Sequence, residues 1–526
     1  MKKFRKLFAA VIVLCLSFSA FSVNAENVKL NRYLTASVKS ISQGDIPSDA
    51  DVLSERSVSL NSTNQNLSIC DYIAKELAAG AEKLKNASGT DIQNYYFDVS
   101  VYNKTTSEIA SVFEETLNSH PDLFYVENSF GYSYNQESGI VGRIYPTYDS
   151  CVYNGSIDDK ITFYNNELDT IIGLIPDNFT DLQKVLLVHD YITDICQYDV
   201  TVYTNANLAI YDAYNMLAER KGVCQAYTML FMAVMQRIGI ECTYASSKNA
   251  NHIWNVVELD GEYYHIDLTF DDPLTYNPGN YSNPNARQLV NHDYFLLSTE
   301  KLLSKASDRF DWISPYLGAA DIYSAEYESG YCWENIKNPF LCVDGSLYGL
   351  TWNSGSMEIF KCSSDLKTRS EIVAAFSNVK WQDKNSSGKW PGMFSGFSRM
   401  GNTFIVNTSD TIRYCSKING EWKTGIIPCS NTGDGDYYDS HLNGNGQLEL
   451  YAGLSPNAGS YEKYAVDIAY AVSNGSWAQA LVQTRKSLLD VPQPEVNTDF
   501  LDMNGDNIID IRDLVKMKKR SAAAAA

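Results

Sequence analysis

A cysteine, a histidine and an aspartate stand mid-chain in an order that could perform nucleophilic catalysis. Cys224 follows Gly222-Val223 and opens VCQAYTMLFMAVMQRIGI, a run from Val223 to Ile240 that is apolar almost all round. Such a run reads as a helix inside a domain. Unpaired backbone N–H groups and the helix dipole at its start favour a thiolate, the reactive form. The same N–H groups could hold an oxyanion on an attacked carbonyl. Taken alone, a cysteine at a helix start is a packed thiol or half of a disulfide. A nucleophile needs a nearby imidazole, and the imidazole needs an orienting acid.

Both lie downstream. HIWNVVEL and EYYHIDLTF flank Asp260-Gly261, a strong two-residue hairpin signal. Leu259 is then expected opposite Glu262, Trp254 opposite Asp267 and His252 opposite Thr269. Alternation puts His252, Trp254, His265, Asp267 and Thr269 on one face. Ile253, Val257, Leu259, Tyr264, Ile266, Leu268 and Phe270 share the other, apolar face. Asp267 becomes the diagonal neighbour of His252, about 7–8 Å away at the backbone and within side-chain reach. A one-residue slip would destroy the pair. His265 competes as a base, and Asp271 is a second candidate acid close to Pro273. Trp254 and Asn255 are expected to shape the site, His189 and Asp190 to pack within a helix, and Cys242 to be buried in a strand.

GVCQAYTMLFMAVMQRIGIECTY, then NHIWNVVELDGEYYHIDLTFDDP, then NHDYFLLSTE, resembles the transglutaminase-like superfamily, as does KVLLVHDYITDICQYD upstream. The resemblance covers roughly 166 to 300. It implies a papain-like core, a triad at Cys224, His252 and Asp267, and acyl transfer through a thioester on peptide or glutamine-type amides. Family members include crosslinkers, peptidases and amidases, so the acceptor, amine or water, stays open.

A second constellation closes the chain. In DMNGDNIIDIRD, Asp502, Asn504, Asp506, Asp510 and Asp513 occupy positions 1, 3, 5, 9 and 12, and Ile508 at position 7 would offer its backbone carbonyl. That spacing places hard oxygen ligands around Ca²⁺. Asn507 sits at position 6, where glycine is usual, and tolerates the left-handed conformation. Ile511, Leu514 and Val515 follow as an apolar stripe. Loop and helix resemble a single dockerin repeat, where the usual module holds two. That likeness implies docking to a cohesin-bearing scaffold such as a cellulosome.

The elements that must position these groups divide the chain as follows. Residues 1–25 are a secretory signal peptide, with a basic start, an apolar stretch and a small-residue exit before Ala25. A polar lead-in spans 26–66. An α/β region, 67–165, holds the helical pattern ICDYIAKELAAGAEKL, the alternating NYYFDVSVY and the helical SEIASVFEETLNSHPDLF. The transglutaminase-like domain, 166–322, carries helices at DLQKVLLVHDYITDIC and at DAYNMLAERKG, the latter ending at Gly222. Short strands between turn residues mark a β-rich domain, 330–486, in which a loose repeat of about 50 residues fits propeller-like blades or a sandwich. A Pro-containing linker, 487–498, precedes the dockerin-like segment, 499–521. The fold class expected is therefore multidomain α+β.

Composition bounds the partners. The formal charge of −21 disfavours nucleic acid. No later segment is apolar enough to span a bilayer. The 36 tyrosines suit strand-rich structure and exposed binding surfaces. Of 11 cysteines, Cys15 lies in the leader, and the rest are irregularly spaced without a CxxC pair, so no disulfide framework or zinc site is legible. The reading that results is a secreted, extracellular cysteine acyltransferase or peptidase tethered to a scaffold. The rival is a catalytically inactive adhesion or polysaccharide-binding protein of the same scaffold.

Overall fold

Helices form where an apolar stripe and a capping side chain coincide. α1, Ile69–Leu84, starts at Ser68, whose hydroxyl accepts from the Asp71 N–H, and buries Tyr72, Ile73, Leu77 and Leu84. α2, Thr106–Ser119, starts in a capping box in which Glu108 accepts from the Thr105 N–H. Its buried stripe, Ile109, Phe113 and Leu117, packs with α1 and with the antiparallel strands β1, Val126–Tyr134, and β2, Val141–Tyr148. The NYYFDVSVY stretch yields only Phe97–Asp98 as strand. The Asp98 carboxylate accepts from the Ser100 N–H and turns the chain into a 3₁₀ turn.

The computed structural model describes residues 68–85 and 95–453, apart from 204, 273–289, 316, 318–321, 354, 383–387, 390–392, 428–435 and 443–447. It also describes the strand Glu462–Val466 and a pair of two-residue strands at Lys29–Leu30 and Ala36–Ser37. The leader, the linker and the calcium-type loop with Asp502, Asn504, Asp506, Ile508, Asp510 and Asp513 lie outside the described residues. No described helix is long and apolar enough to cross a membrane.

Next come α3, Ile157–Ile172, α4, Asp181–Ile195, and α5, Ala213–Glu219. α5 ends earlier than its sequence pattern implies. Arg220 takes the left-handed C-cap (φ 53°), and Lys221–Gly222 then pairs in parallel with Gln197–Tyr198. That short bridge ends at Val223, the N-cap of α6, Cys224–Ile238. Every α6 residue from Cys224 to Met235 is buried, because α3, α4 and α5 surround the helix on one side and a sheet covers the other. The sheet has the order β5-β4-β3, with β3 at Cys242–Ser247, β4 at His252–Leu259 and β5 at Glu262–Ile266.

The β4–β5 hairpin turns through Asp260 (φ 55°) and Gly261 (φ 87°), and its register runs from Leu259 opposite Glu262 to Asn255 opposite Ile266. Two expectations are corrected here. The strand stops at Ile266, since Asp267 caps a one-turn helix, α7, Leu268–Asp271, by accepting from the Phe270 N–H. Thr269 and Phe270 therefore leave the ladder. Nor is one face apolar and the other chemical: Trp254 and Val256 pack under Leu302, Trp312 and Ile322, so both faces are buried. Leu302 belongs to α8, Thr299–Lys305.

The C-terminal half forms three separate antiparallel sheets, each built from consecutive strands. They comprise Leu341–Val343 to Arg369–Phe376, Phe397–Met400 to Glu421–Ile427, and Asp436–Leu442 to Glu462–Val466. No closed barrel forms among the described residues. The first sheet joins the central core through Phe340, Cys342, Leu347 and Phe360. The second and third are tied by Asn407, which accepts from the Gly396 N–H at 2.8 Å and donates to the Tyr437 carbonyl at 3.2 Å.

Gly222 sets how closely the Lys221–Gly222 bridge approaches α6, since a Cβ there would sit 2.6 Å from the Ala226 Cβ and 3.3 Å from the Met216 sulfur. Gly222→Ala should destabilise the core by about 1–3 kcal/mol through overpacking, read as a lower urea midpoint in tryptophan fluorescence. Gly239→Ala, at a left-handed C-cap with open space around it, should cost about 1–2 kcal/mol from backbone strain alone and leave the cysteine's environment unchanged. An unaffected midpoint for Gly222→Ala would contradict the packing described.

Candidate active site

Cys224 is the first residue of α6, so its N–H is one of the unpaired donors at the helix start. Two ties hold this end of α6 against β4. The Thr228 hydroxyl lies 2.9 Å from the Cys224 carbonyl oxygen and 3.3 Å from that of Ile253. The Asn255 side-chain amide donates to the Thr228 carbonyl at 3.0 Å. Asn255 thus shapes the site rather than reacting. Cys224 clusters with Tyr244 and Ile253, next to His252 on β4.

His252 Nε2 is 2.7 Å from Asp267 Oδ2. The hairpin brings the two chain segments side by side, and the cap of α7 aims the carboxylate back at the ring. The imidazole stacks on Trp254 (centroids 5.8 Å, 17°) and receives the edge of Phe270 (5.0 Å). With Nε2 held by the acid, Nδ1 is the ring nitrogen for exchange with the thiol.

Arg309, in the 3₁₀ turn Ser307–Arg309 after α8, was not singled out by the sequence pattern. Its Nη2 lies 2.6 Å from the same Oδ2 of Asp267, and the guanidinium is buried. It sits 4.4 Å from the Phe270 ring centroid, 4.8 Å from that of Trp254 and 5.2 Å from that of Tyr294. Such desolvated cation–π contacts are worth about 2 kcal/mol each. Burial alone would raise the Asp267 carboxyl, but the His252 and Arg309 charges override it and hold the group down at about 2. Burial would likewise keep His252 neutral. The Asp267 charge outweighs burial and raises the imidazole to about 9, against an opposing push from Arg309.

The signs of the pH linkage follow. The His252 contribution to stability is complete below the ordinary imidazole value and is lost as pH rises through about 9. The Asp267 contribution is present above the ordinary carboxylate value and is lost as pH falls towards 2.

His265, the competing base, is engaged elsewhere. Its Nδ1 accepts from Trp254 Nε1 at 3.0 Å and its Nε2 faces the Thr299 hydroxyl at 3.1 Å. Burial, helped by Arg309, pushes it down to about 3, so it stays neutral. Asp271 faces away from His252: its carboxylate accepts from the Tyr294 N–H at 2.9 Å and lies 3.3 Å from His189 Nε2. Cys242 is buried in β3.

Residues 174–268 match the family described as "Transglutaminase-like superfamily". Kyphoscoliosis peptidase of Homo sapiens is 23% identical over 164 residues, covering 26% of this chain and 25% of that protein. Among solved structures, a candidate cysteine protease from Cytophaga hutchinsonii is 15% identical, with 27% of this chain and 62% of that one covered and a TM-score of 0.17. A TGase is also 15% identical, with 40% and 61% covered and a TM-score of 0.18. The chain thus spans a quarter of the curated relative it matches and about three fifths of each of these two solved chains. Cys224, His252 and Asp267 all fall within 174–268, the stretch that matches the transglutaminase-like superfamily.

Proposed function

We propose that the protein is a cysteine acyltransferase or peptidase acting on peptide or glutamine-type amides. The observation that carries this reading is the buried His252–Asp267 pair, 2.7 Å apart, beside a cysteine at the start of α6. His252, raised to about 9, already holds the proton taken from the thiol, and Cys224 Sγ attacks the amide carbon as a thiolate. The C–N bond then breaks, and the amine leaves with that proton. The product is a thioester on Cys224. Water or a primary amine, deprotonated by His252, attacks the thioester and regenerates the thiol. Asp267 keeps the ring oriented and stabilises the imidazolium. The Cys224 N–H, at the positive end of α6, is placed to donate to the developing oxyanion. The kyphoscoliosis relative is named a peptidase, which supports hydrolysis as one outcome.

The sequence outside the described residues supplies the setting we propose. The basic, apolar and small-residue pattern of 1–25 supports export. The oxygen donors Asp502, Asn504, Asp506, Asp510 and Asp513, with the Ile508 carbonyl, support Ca²⁺ binding and tethering to a cohesin-bearing scaffold. The His252–Asp267 pair beside the start of α6 speaks against the retired-enzyme alternative.

Iodoacetamide labelling of the mature protein at neutral pH, followed by peptide mass mapping, tests the nucleophile. Cys224 should alkylate well ahead of the other cysteines, and His252→Ala should slow it by roughly 10²–10⁴-fold. Ordinary labelling that His252→Ala leaves unchanged would refute the proposal. With a glutamine-containing peptide, amine incorporation marks transamidation and a new carboxylate marks hydrolysis. The imidazole gives a separate test. In ¹⁵N-histidine-labelled Asp267→Asn, the His252 titration midpoint should fall from about 9 towards or below the ordinary imidazole value, because the raising charge is gone and Arg309 remains. A midpoint that stays near 9 would exclude Asp267 as its cause.

A further inference from the structure

His189, Asp190 and His292 form the one group of metal-ligand side chains found among the described residues, with ligand atoms all within 4.8 Å of one another. His189 and Asp190 lie near the middle of α4, and His292 lies in the segment that leads to Tyr294 and Phe295. All three side chains are at most 2% exposed. Asp190 Oδ1 is 2.8 Å from His189 Nδ1 and 3.0 Å from His292 Nε2, and Oδ2 accepts from the Phe340 N–H at 2.5 Å.

Counting donors and acceptors shows what this arrangement requires. His292 Nδ1 is 3.2 Å from the Ile336 carbonyl, which can only accept, so Nδ1 carries a proton. His292 Nε2 faces the Asp190 carboxylate, which also only accepts. His189 stands between two carboxylates, Asp190 at Nδ1 and Asp271 at Nε2. With both carboxylates ionised and no metal, the cluster needs two imidazolium cations with ring centroids 5.6 Å apart, both directed at one carboxylate oxygen inside the core. Like charges so placed repel strongly where water does not screen them.

We propose that His189 Nδ1, His292 Nε2 and Asp190 Oδ1 bind a divalent transition-metal ion of the Zn²⁺ class. The ion takes the place of two protons, leaves both rings neutral and keeps the site's net charge. The remaining ring nitrogens then donate to the Ile336 carbonyl and the Asp271 carboxylate, the outer contacts that ordinarily orient metal-bound histidines. Tetrahedral ligands about 2.0–2.1 Å from zinc stand about 3.3 Å apart, so the two separations from Asp190 Oδ1, 2.8 and 3.0 Å, need to open by only a few tenths of an ångström, and all three ligand atoms already lie within 4.8 Å of one another. The ion would join α4, the His292 segment and the chain entering the C-terminal sheets. Through Asp271 it would also brace α7, the turn capped by Asp267. Its role is structural, and its test is independent of the acyl-transfer reading.

The experiment uses untagged full-length protein, expressed with added zinc and dialysed into chelator-free, metal-free buffer. Mass-spectrometric metal analysis should find about one zinc per chain. His292→Gln and Asp190→Asn, with circular dichroism unchanged, should lose it. Replacing zinc with Co²⁺ in the wild type should give the visible absorption of nitrogen-ligated cobalt, absent from both variants. Should the variants fail to fold, the wild-type zinc content and cobalt spectrum decide. A wild-type protein with neither zinc nor a cobalt band overturns the proposal. Zinc retained at wild-type level by folded variants also overturns it and places the metal elsewhere, such as at the tail carboxylates.

Discussion

One carboxylate carries the architecture of the site. Asp267 meets the His252 ring and the Arg309 guanidinium through Oδ2, and caps α7 with its other oxygen. A fully buried anion is tolerable only when its lone pairs are so engaged. Removing one partner of a buried ion pair costs about 3–5 kcal/mol, because the other is left uncompensated. The site is therefore built from the acid outwards. The cap ends the β5 strand, the end of the strand frees Phe270 to turn back, and Phe270 closes over both His252 and Arg309.

The rod that carries the sulfur is also the centre of the core. α6 is buried from Cys224 to Met235, with helices around it and β4 against it. Few motions are open to such an element, so the thiol is placed by packing rather than by a loop. Rigid placement suits a reaction whose rate depends on near-attack geometry. It also couples stability to chemistry, since changes at Gly222 or Thr228 act on the fold and on the cysteine together. The first C-terminal sheet shares this core through Phe340 and Phe360, and Asp190 accepts from the Phe340 N–H. The segment that enters the β-rich half is thus part of the same packed unit.

What could be read from the sequence alone shares one physical property: it was local. The Asp260-Gly261 turn requires two positive-φ residues, and this sets the register from Leu259–Glu262 to Asn255–Ile266. The start of α6 at Cys224 follows from the apolar run beginning there. The helices at Ile69–Leu84, Thr106–Ser119 and Asp181–Ile195 follow from stripes and caps within a few residues. Local competition also explains the misreadings. Asp98 and Asp267 each bind a backbone N–H two or three residues on, and that bond ends a strand which alternation alone would continue.

The tertiary structure decided what needs distant chain segments to meet. Arg309 is 42 residues beyond Asp267, with no periodicity to mark it, and becomes the acid's second partner only when α8 folds over the sheet. His265 and His252 sit on the same hairpin and are chemically identical in sequence. One is kept neutral by Trp254, Thr299 and burial, and the other is raised to about 9 by Asp267. His189 and His292 meet on Asp190 across more than a hundred residues. Turn chemistry and helical stripes act over a few bonds, so they are written in neighbouring residues. The ionisation of a buried group depends on which charges the whole fold brings around it, and no short stretch of sequence contains that information.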